Sequence, residues 1–132
     1  MDRRQFHLAL SAALAFSASW RSAHAQTQPV ERPSFTMLIH PGMVMQDLVG
    51  PLTAFNLTMG DIRLVWKDKT PVSTDVNIPV TATHDFQDCP ETADVFFVPG
   101  GLTGSVALMQ DQEVLNFVAS RAAKARFVTS VC

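Results

Sequence analysis

Residues 94–101 read Asp94-Val95-Phe96-Phe97-Val98-Pro99-Gly100-Gly101, an apolar run closed by residues that force a turn. A run of this length without polar alternation is typical of a strand buried on both faces, as in a parallel sheet. The Pro-Gly-Gly ending places a tight turn at the carboxyl end of that strand. The stretch therefore predicts an interior strand of an α/β protein.

Further strands are predicted on both sides of this one. Residues 34–39 and 127–131 are near-continuous apolar or β-branched runs, and residues 62–67 alternate in part. Short β-branched stretches at residues 72–74 and 80–83, separated by polar residues and proline, predict a hairpin-like excursion.

Helices are predicted between the strands. Apolar side chains recur at helical spacing in residues 47–57 and 112–126, and residues 103–109 form a shorter helical piece. In the first of these helices Asp47 suits the N-cap and Pro51 the first turn. Alternating strands and helices predict a doubly wound α/β fold with a mainly parallel sheet and right-handed crossovers.

Bulk composition excludes several classes of protein. Hydrophobic residues make up 47% of the 132 residues and charged residues 17%, which is typical of a globular chain. A net charge of −2 argues against nucleic acid as a partner. No stretch reaches the roughly 18 apolar residues that a membrane span needs. Two cysteines do not make a disulfide scaffold, and no His/Cys cluster has the spacing of a metal site.

The first 25 residues have the three parts of an export signal. A basic start is followed by an apolar, small-residue stretch, and Ala23-His24-Ala25 matches a cleavage signal after Ala25. The segment Arg3-Arg4-Gln5-Phe6 resembles the twin-arginine type, and an ordinary Sec signal or an uncleaved anchor are the alternatives. The signal predicts a periplasmic mature protein without stable membrane insertion after cleavage.

Three sets of residues with chemical potential follow the predicted strands. Asp47 lies beyond the first strand, Gly100 and Gly101 follow the strand at 94–98, and Cys132 follows the last one. Functional sites in such sheets gather beyond the carboxyl ends of the strands, so these residues are expected to converge. A cysteine attacks as its thiolate, a carboxyl group moves protons, and glycine backbone N–H groups stabilise a developing negative charge.

Each of these residues also has an ordinary structural interpretation. A cysteine at a strand end is often a buried small apolar side chain, an aspartate at a helix start is often only a cap, and Pro-Gly-Gly is often only a turn. The functional interpretation depends on all of them occurring together on one scaffold. Cys89, beside Pro90, is interpreted as structural, and neither His40 nor His84 has a partner at catalytic spacing.

Four segments together resemble the ThiJ/PfpI superfamily, which has the class I glutamine amidotransferase-like, flavodoxin-like fold. They are residues 35–42, residues 47–51 with Phe55, residues 94–101 and residues 129–132. With the export signal (1–25) and a polar, proline-containing linker (26–33) set apart, the resemblance covers residues 34–132 as the N-terminal part of a ThiJ/PfpI-like domain. The fold is therefore expected to be incomplete at the C-terminus.

The Asp47-Leu48-Val49-Gly50-Pro51 segment is similar to the isonitrile hydratase branch of that superfamily. The resemblance implies a cysteine-dependent hydro-lyase that converts an isonitrile and water to an N-substituted formamide. It implies Cys132 as nucleophile, Asp47 as its acid partner, and Gly100 and Gly101 at the oxyanion and substrate site. It implies a small-molecule substrate, no metal or organic cofactor, and a homodimer when the domain is full length.

The sequence departs from the family pattern because it ends at Cys132, before the residue that separates the family branches. We therefore expect the chain as given to be inactive, with a bare sheet edge and a tendency to aggregate. The alternatives to the hydratase are a non-catalytic ligand-binding or sensor domain, a redox-responsive domain and an inactive truncated product.

Overall fold

The computed structural model describes residues 31–132. The predicted export signal and residues 26–30 of the predicted linker lie outside the described residues. The described part contains six strands: β1 (Ser34–Leu38), β2 (Asp61–Val65), β3 (Val72–Ser73), β4 (Pro79–Val80), β5 (Val95–Val98) and β6 (Phe127–Ser130). It contains three helices: α1 (Met45–Asn56), α2 (Leu102–Leu108) and α3 (Gln112–Ala122).

The main sheet has four parallel strands in the order β2-β1-β5-β6. Register pairs Phe35 of β1 with Ile62 of β2 and with Val95 of β5, and Val95 with Phe127 of β6. All four strands therefore end at the same edge of the sheet. This arrangement confirms the predicted mainly parallel α/β fold.

Both faces of the two central strands are buried, as their near-continuous apolar sequences predict. On one face Phe55 of α1 stacks on Phe35, with ring centroids 4.3 Å apart, and meets Phe97 edge-on. On the other face Phe117 of α3 meets Phe96 edge-on. Such aromatic contacts contribute about 0.5–1.5 kcal/mol each beyond the burial of their area.

Helix α1 differs from its predicted start. It begins at Met45, so Asp47 lies in its first turn and Val44 takes the N-cap position. The side chain that binds the first turn is Asp75, whose Oδ1 accepts the Met45 N–H at 2.9 Å. Pro51 lies inside the helix instead of in the first turn. The prediction of Asp47 as the cap was wrong because the actual acceptor comes from thirty residues downstream.

Helix α3 ends earlier than predicted, at Ala122 instead of residue 126. The following backbone leaves the helix to join the sheet: Arg126 donates its N–H to the Ala93 carbonyl and Phe127 donates to Asp94. Sheet pairing therefore overrides the helical spacing of the last turn. Its start is as predicted, with Asp111 accepting the Val114 N–H at the N-cap.

The predicted hairpin is present as the antiparallel pair β3–β4, with Asn77 in the left-handed region at φ 59°. It packs on the loop between β1 and α1. Ser73 accepts the Gly42 N–H at 2.8 Å, and the Asp75 N–H donates to the Met43 carbonyl at 2.9 Å. The hairpin therefore supports the loop that leads to Asp47.

Strand β6 is the outer strand of the sheet and pairs with β5 alone within residues 31–132. All four of its residues are exposed, including Phe127 at 53% and Val128 at 56%. The uncovered apolar surface expected at this strand is present. Aggregation through it stays a prediction.

Candidate active site

The loops after β1, β5 and β6 meet around Gly100. A Cβ placed on Gly100 would collide with Oδ2 of Asp47 and lie 2.7 Å from the Val131 carbonyl oxygen and 3.0 Å from the Cys132 Cα. The structure thus brings Asp47, Gly100 and Cys132 together from positions 32 to 85 residues apart in sequence. Their catalytic roles stay predictions.

The turn formed by Gly100 and Gly101 requires glycine at both positions. Gly101 has φ 143°, a conformation that side chains disfavour, and a Cβ on it would lie 2.5 Å from the Gly42 carbonyl oxygen. The Gly100 carbonyl accepts the Val44 N–H at 2.9 Å. Both glycines are buried. The turn is therefore packed directly against the loop that precedes α1, which fixes its distance from Asp47.

The candidate nucleophile and the candidate acid differ in their exposure. Cys132 is exposed and follows β6, where the Val131 N–H still reaches the Val98 carbonyl at 3.4 Å. Asp47 is half-buried in the first turn of α1. An exposed cysteine whose backbone approaches Gly100, and a carboxyl group that approaches the same glycine, are the groups that nucleophilic addition and proton transfer to a small electrophile require.

Two residues near this site were not identified from the sequence as site residues. His40 is fully buried, with Nε2 3.3 Å from the Pro99 carbonyl oxygen and Nδ1 3.1 Å from the Pro41 carbonyl oxygen. Asp75 reaches the first turn of α1 from the hairpin. The position of His40 directly after a predicted strand could have indicated that it lies near the site. No sequence signal connects Asp75 to residue 45.

Cys89 lies in the hydrophobic core with 3% of its surface exposed. Burial raises the pKa of its thiol, and the nearby Arg121 guanidinium opposes that effect only in part. Arg121 also donates to the Cys89 carbonyl at 3.2 Å. A protonated, enclosed thiol is a poor nucleophile, so Cys89 is the weaker candidate of the two cysteines.

Between residues 31 and 132 no group of three or more His, Cys, Asp or Glu side chains is arranged to hold a metal ion. None of the helices in this range is long and apolar enough to cross a membrane.

Comparisons with known proteins agree with this fold. The DJ-1/PfpI family model matches residues 34–132. Isonitrile hydratase of Pseudomonas putida is 43% identical over 96 residues, which are 72% of this chain and 41% of that protein. The crystal structure of a THiJ/PfpI family protein from Pseudomonas syringae superposes with a TM-score of 0.74 at 36% identity, over 84% of this chain and 51% of that one.

A more distant structure shows the same fold. Oxidised DJ-1 of Toxoplasma gondii has a TM-score of 0.63 at 14% identity, over 75% of this chain and 55% of that one. The chain thus spans about half the length of the relatives that it matches. With its family model covering the whole predicted domain, the chain belongs to the DJ-1/PfpI family.

Proposed function

We propose that this chain belongs to a cysteine-dependent hydro-lyase that adds water to an isonitrile, and that it supplies the nucleophile of that enzyme. The observation that supports this proposal is the contact around Gly100, where the Asp47 carboxylate and the Cys132 backbone approach the same glycine. The 43% identity to an isonitrile hydratase supports the choice of substrate class.

The proposed reaction begins with attack of the Cys132 thiolate on the terminal carbon of the isonitrile. A C–S bond forms, and Asp47, in its acid form, gives a proton to that carbon, which leaves a thioimidate. Water then adds to the same carbon while the Asp47 carboxylate accepts one of its protons. The proton of the added hydroxyl passes to the nitrogen, and the oxygen electrons form the carbonyl as the C–S bond breaks. The N-substituted formamide leaves, the thiolate is restored, and Asp47 keeps the water proton and is again in its acid form. The glycine turn would offer backbone N–H groups to the charge that develops at the reacting carbon or oxygen.

Formamide production from an alkyl isonitrile tests this proposal, using the protein expressed from its complete reading frame. Cys132→Ser is expected to abolish turnover, and Asp47→Asn to reduce it by about 10²- to 10⁴-fold. Cys89→Ser and Asp88→Asn serve as matched controls, because Cys89 is a core residue and Asp88 is exposed beside Lys69. Equal activity of the Cys132→Ser protein and the unmodified protein would refute the hydratase.

The exposed Cys132 thiol favours a second candidate, a redox-responsive domain. In that case hydrogen peroxide would convert the thiolate to sulfenate with release of water, and no formamide would form. A ligand-binding domain would instead bind an isonitrile without consuming it. Mass spectrometry of Cys132 after peroxide treatment, beside the formamide assay, separates the three functions.

We also propose that the protein is exported to the periplasm with cleavage after Ala25. The basic start, the apolar stretch and the Ala23-His24-Ala25 motif support this location. N-terminal sequencing of the protein from a periplasmic fraction is expected to begin at Gln26. Replacing Arg3 and Arg4 by lysine should block export by a twin-arginine route and leave Sec export intact.

We further propose that the full-length domain is a homodimer. The family membership supports this proposal, and sedimentation of the complete protein tests it. A monomer across the micromolar range would refute it.

A further inference from the structure

His40 is a buried polar side chain that the proposed reaction does not use. It follows β1 at the site edge of the sheet and has no exposed surface. Buried polar groups are normally held by hydrogen bonds, and each ring nitrogen of His40 faces a backbone carbonyl. The two carbonyls belong to different loops, so the ring lies at the junction of these loops.

The two contacts of His40 are not equivalent. Nδ1 faces the carbonyl of Pro41, the next residue in the same loop, at 3.1 Å. Nε2 faces the carbonyl of Pro99, 59 residues away and directly before the glycine turn, at 3.3 Å. A neutral imidazole has one N–H and donates to only one of them. Only the Nε2 contact can connect the β1–α1 loop to the turn that holds Gly100.

The surroundings of the ring restrict its movement. Gly104 of α2 packs against it so closely that a Cβ there would lie 2.6 Å from Nδ1 of His40 and 2.5 Å from the Pro41 carbonyl oxygen. The Val44 N–H donates to the Gly100 carbonyl at 2.9 Å, which is the second connection between the same two loops. The contact of His40 with Pro99 and the hydrogen bond of Val44 with Gly100 therefore connect the same two loops.

We propose that His40 is a positioning residue whose Nε2–H binds the Pro99 carbonyl and thereby sets the Gly100–Gly101 turn against Asp47. The placement of the turn by His40 does not depend on which reaction the site carries out. The effect of His40 on turnover rests on the proposed function. In the proposed reaction His40 contacts neither the reacting cysteine nor the carboxyl group. It acts only through the position of the turn.

Three substitutions separate the two contacts of the ring. The amide nitrogen of glutamine in His40→Gln can take the place of Nε2, whereas that of asparagine in His40→Asn takes the place of Nδ1. His40→Leu fills the space without any donor. The readout is amide hydrogen exchange of Val44 in the 132-residue chain, with the Asp61 amide as control. The Asp61 N–H donates to the Pro33 carbonyl at the same distance of 2.9 Å, at the amino-terminal ends of the parallel strands.

We expect the rate of amide exchange at Val44 to rise about three- to tenfold in His40→Leu and His40→Asn, as for the loss of one hydrogen bond. In His40→Gln the rate should stay within about twofold of that in the unmodified protein. Asp61 exchange should be unchanged in all three variants. Equal Val44 exchange in the leucine and glutamine variants would overturn the proposal, because the ring would then only fill space. A rise at Asp61 of the same size in every variant would also overturn it, because the loss would be one of global stability.

Kinetics of the protein from its complete reading frame supply the second readout. His40→Leu and His40→Asn are expected to lower kcat with little change in KM, and His40→Gln to restore it. If the unmodified protein produces no formamide, the proposed function fails while the exchange result still decides the role of His40. If turnover is normal and the Val44 amide does not respond to the loss of Nε2, the positioning role alone fails.

Discussion

At the scale of single residues, the candidate site depends on a position that only glycine can occupy. Gly100 is the point that the Asp47 carboxylate, the Val131 carbonyl and the Cys132 backbone all approach. Its burial and its tight surroundings leave no room for a methyl group. Gly50, in the middle of α1, has only an ordinary contact in the same place, 3.5 Å from the Gln46 amide nitrogen.

These two glycines give different predictions for substitution by alanine. Gly100→Ala should lower the free energy of unfolding by about 1–3 kcal/mol, because the new methyl group forces Asp47 or the Val131 backbone to move. Gly50→Ala should change it by less than about 0.5 kcal/mol, because the preference of alanine for a helix is opposed by the clash of its Cβ with the ring of Pro51. Urea denaturation of both variants measures the difference. A stable Gly100→Ala protein would contradict the close packing at the site.

The two cysteines should differ strongly in reactivity. Cys132 is exposed, whereas burial raises the pKa of the Cys89 thiol and shields it from reagents. Iodoacetamide at about pH 8 is expected to modify Cys132 at least tenfold faster than Cys89, and urea should remove the difference. Peptide mass spectrometry over a time course gives both rates from one sample. Faster modification of Cys89 in the folded chain would be inconsistent with its place in the core.

At the scale of elements, helix α1 depends on a residue from the hairpin. Asp75 accepts the Met45 N–H and donates its own N–H to Met43, so one residue holds both the loop and the first helical turn. Because Asp47 lies in that turn, the hairpin contributes to the position of the candidate acid.

We expect Asp75→Ala to cost about 0.5–2 kcal/mol of folding free energy, the usual range for the loss of a helix cap. Asp75→Asn keeps an acceptor oxygen and should lose less. Urea midpoints compare the three proteins, and exchange of the Met45 amide localises the effect. If the asparagine and alanine variants are equally destabilised, the hydrogen bond is not the source of the stability.

Helix α3 is connected to the sheet through Lys67, which follows β2. Its ammonium group lies 2.6 Å from the Asp111 carboxylate and 2.8 Å from that of Glu113. The hydrogen bond from Lys67 is the main cause that lowers the pKa of Asp111, and the same pair raises the pKa of Lys67. Both partners are partly exposed, so the contribution to stability is modest and screened by salt.

This pair predicts a pH-dependent contribution to stability. Because the pKa of Asp111 is lower in the folded state, its contribution is present above the ordinary pKa of an aspartate and is lost as pH falls through the lowered value. A double-mutant cycle of Lys67→Met and Asp111→Asn isolates the pair from the capping role of Asp111. The coupling should be favourable at neutral pH, weaker in 1 M salt and absent in strong acid. A coupling that grows as the pH falls would contradict this sign.

At the scale of the whole molecule, β6 presents an open strand edge within residues 31–132. It pairs on one side only within the described range, and Phe127 and Val128 are more than half exposed. An open strand edge with apolar side chains is a template for pairing with another chain. The same strand leads to Cys132, so self-association would occur beside the candidate site.

We expect the 132-residue chain to associate in a concentration-dependent way, as seen by light scattering or sedimentation. Val128→Lys should reduce this association several-fold, because a charge on an edge strand opposes pairing. Val76→Lys, at an equally exposed position on the hairpin, is the control and should have little effect. Monodisperse behaviour of the unmodified chain, or an equal effect of both lysines, would contradict a role for the β6 edge.

The sequence by itself determined the fold class and the candidate residues at the site. Near-continuous apolar runs such as residues 34–39 and 95–98 are short and lack polar alternation, which favours strands buried on both sides. The turn at Pro99 and the following glycines, and the position of Cys132 after a β-branched run, are equally local signals. From these the parallel sheet and the shared edge of its strands follow without coordinates.

Only the tertiary structure decided which residues hold that edge in place. The cap of α1 is Asp75 instead of Asp47, the last turn of the predicted helix before β6 is unwound by pairing with Ala93, and His40 lies between two loops. Each of these features depends on a hydrogen bond between residues about 30 to 60 positions apart. Propensity and spacing describe neighbours along the chain, so partners brought together only by folding leave no pattern in the sequence.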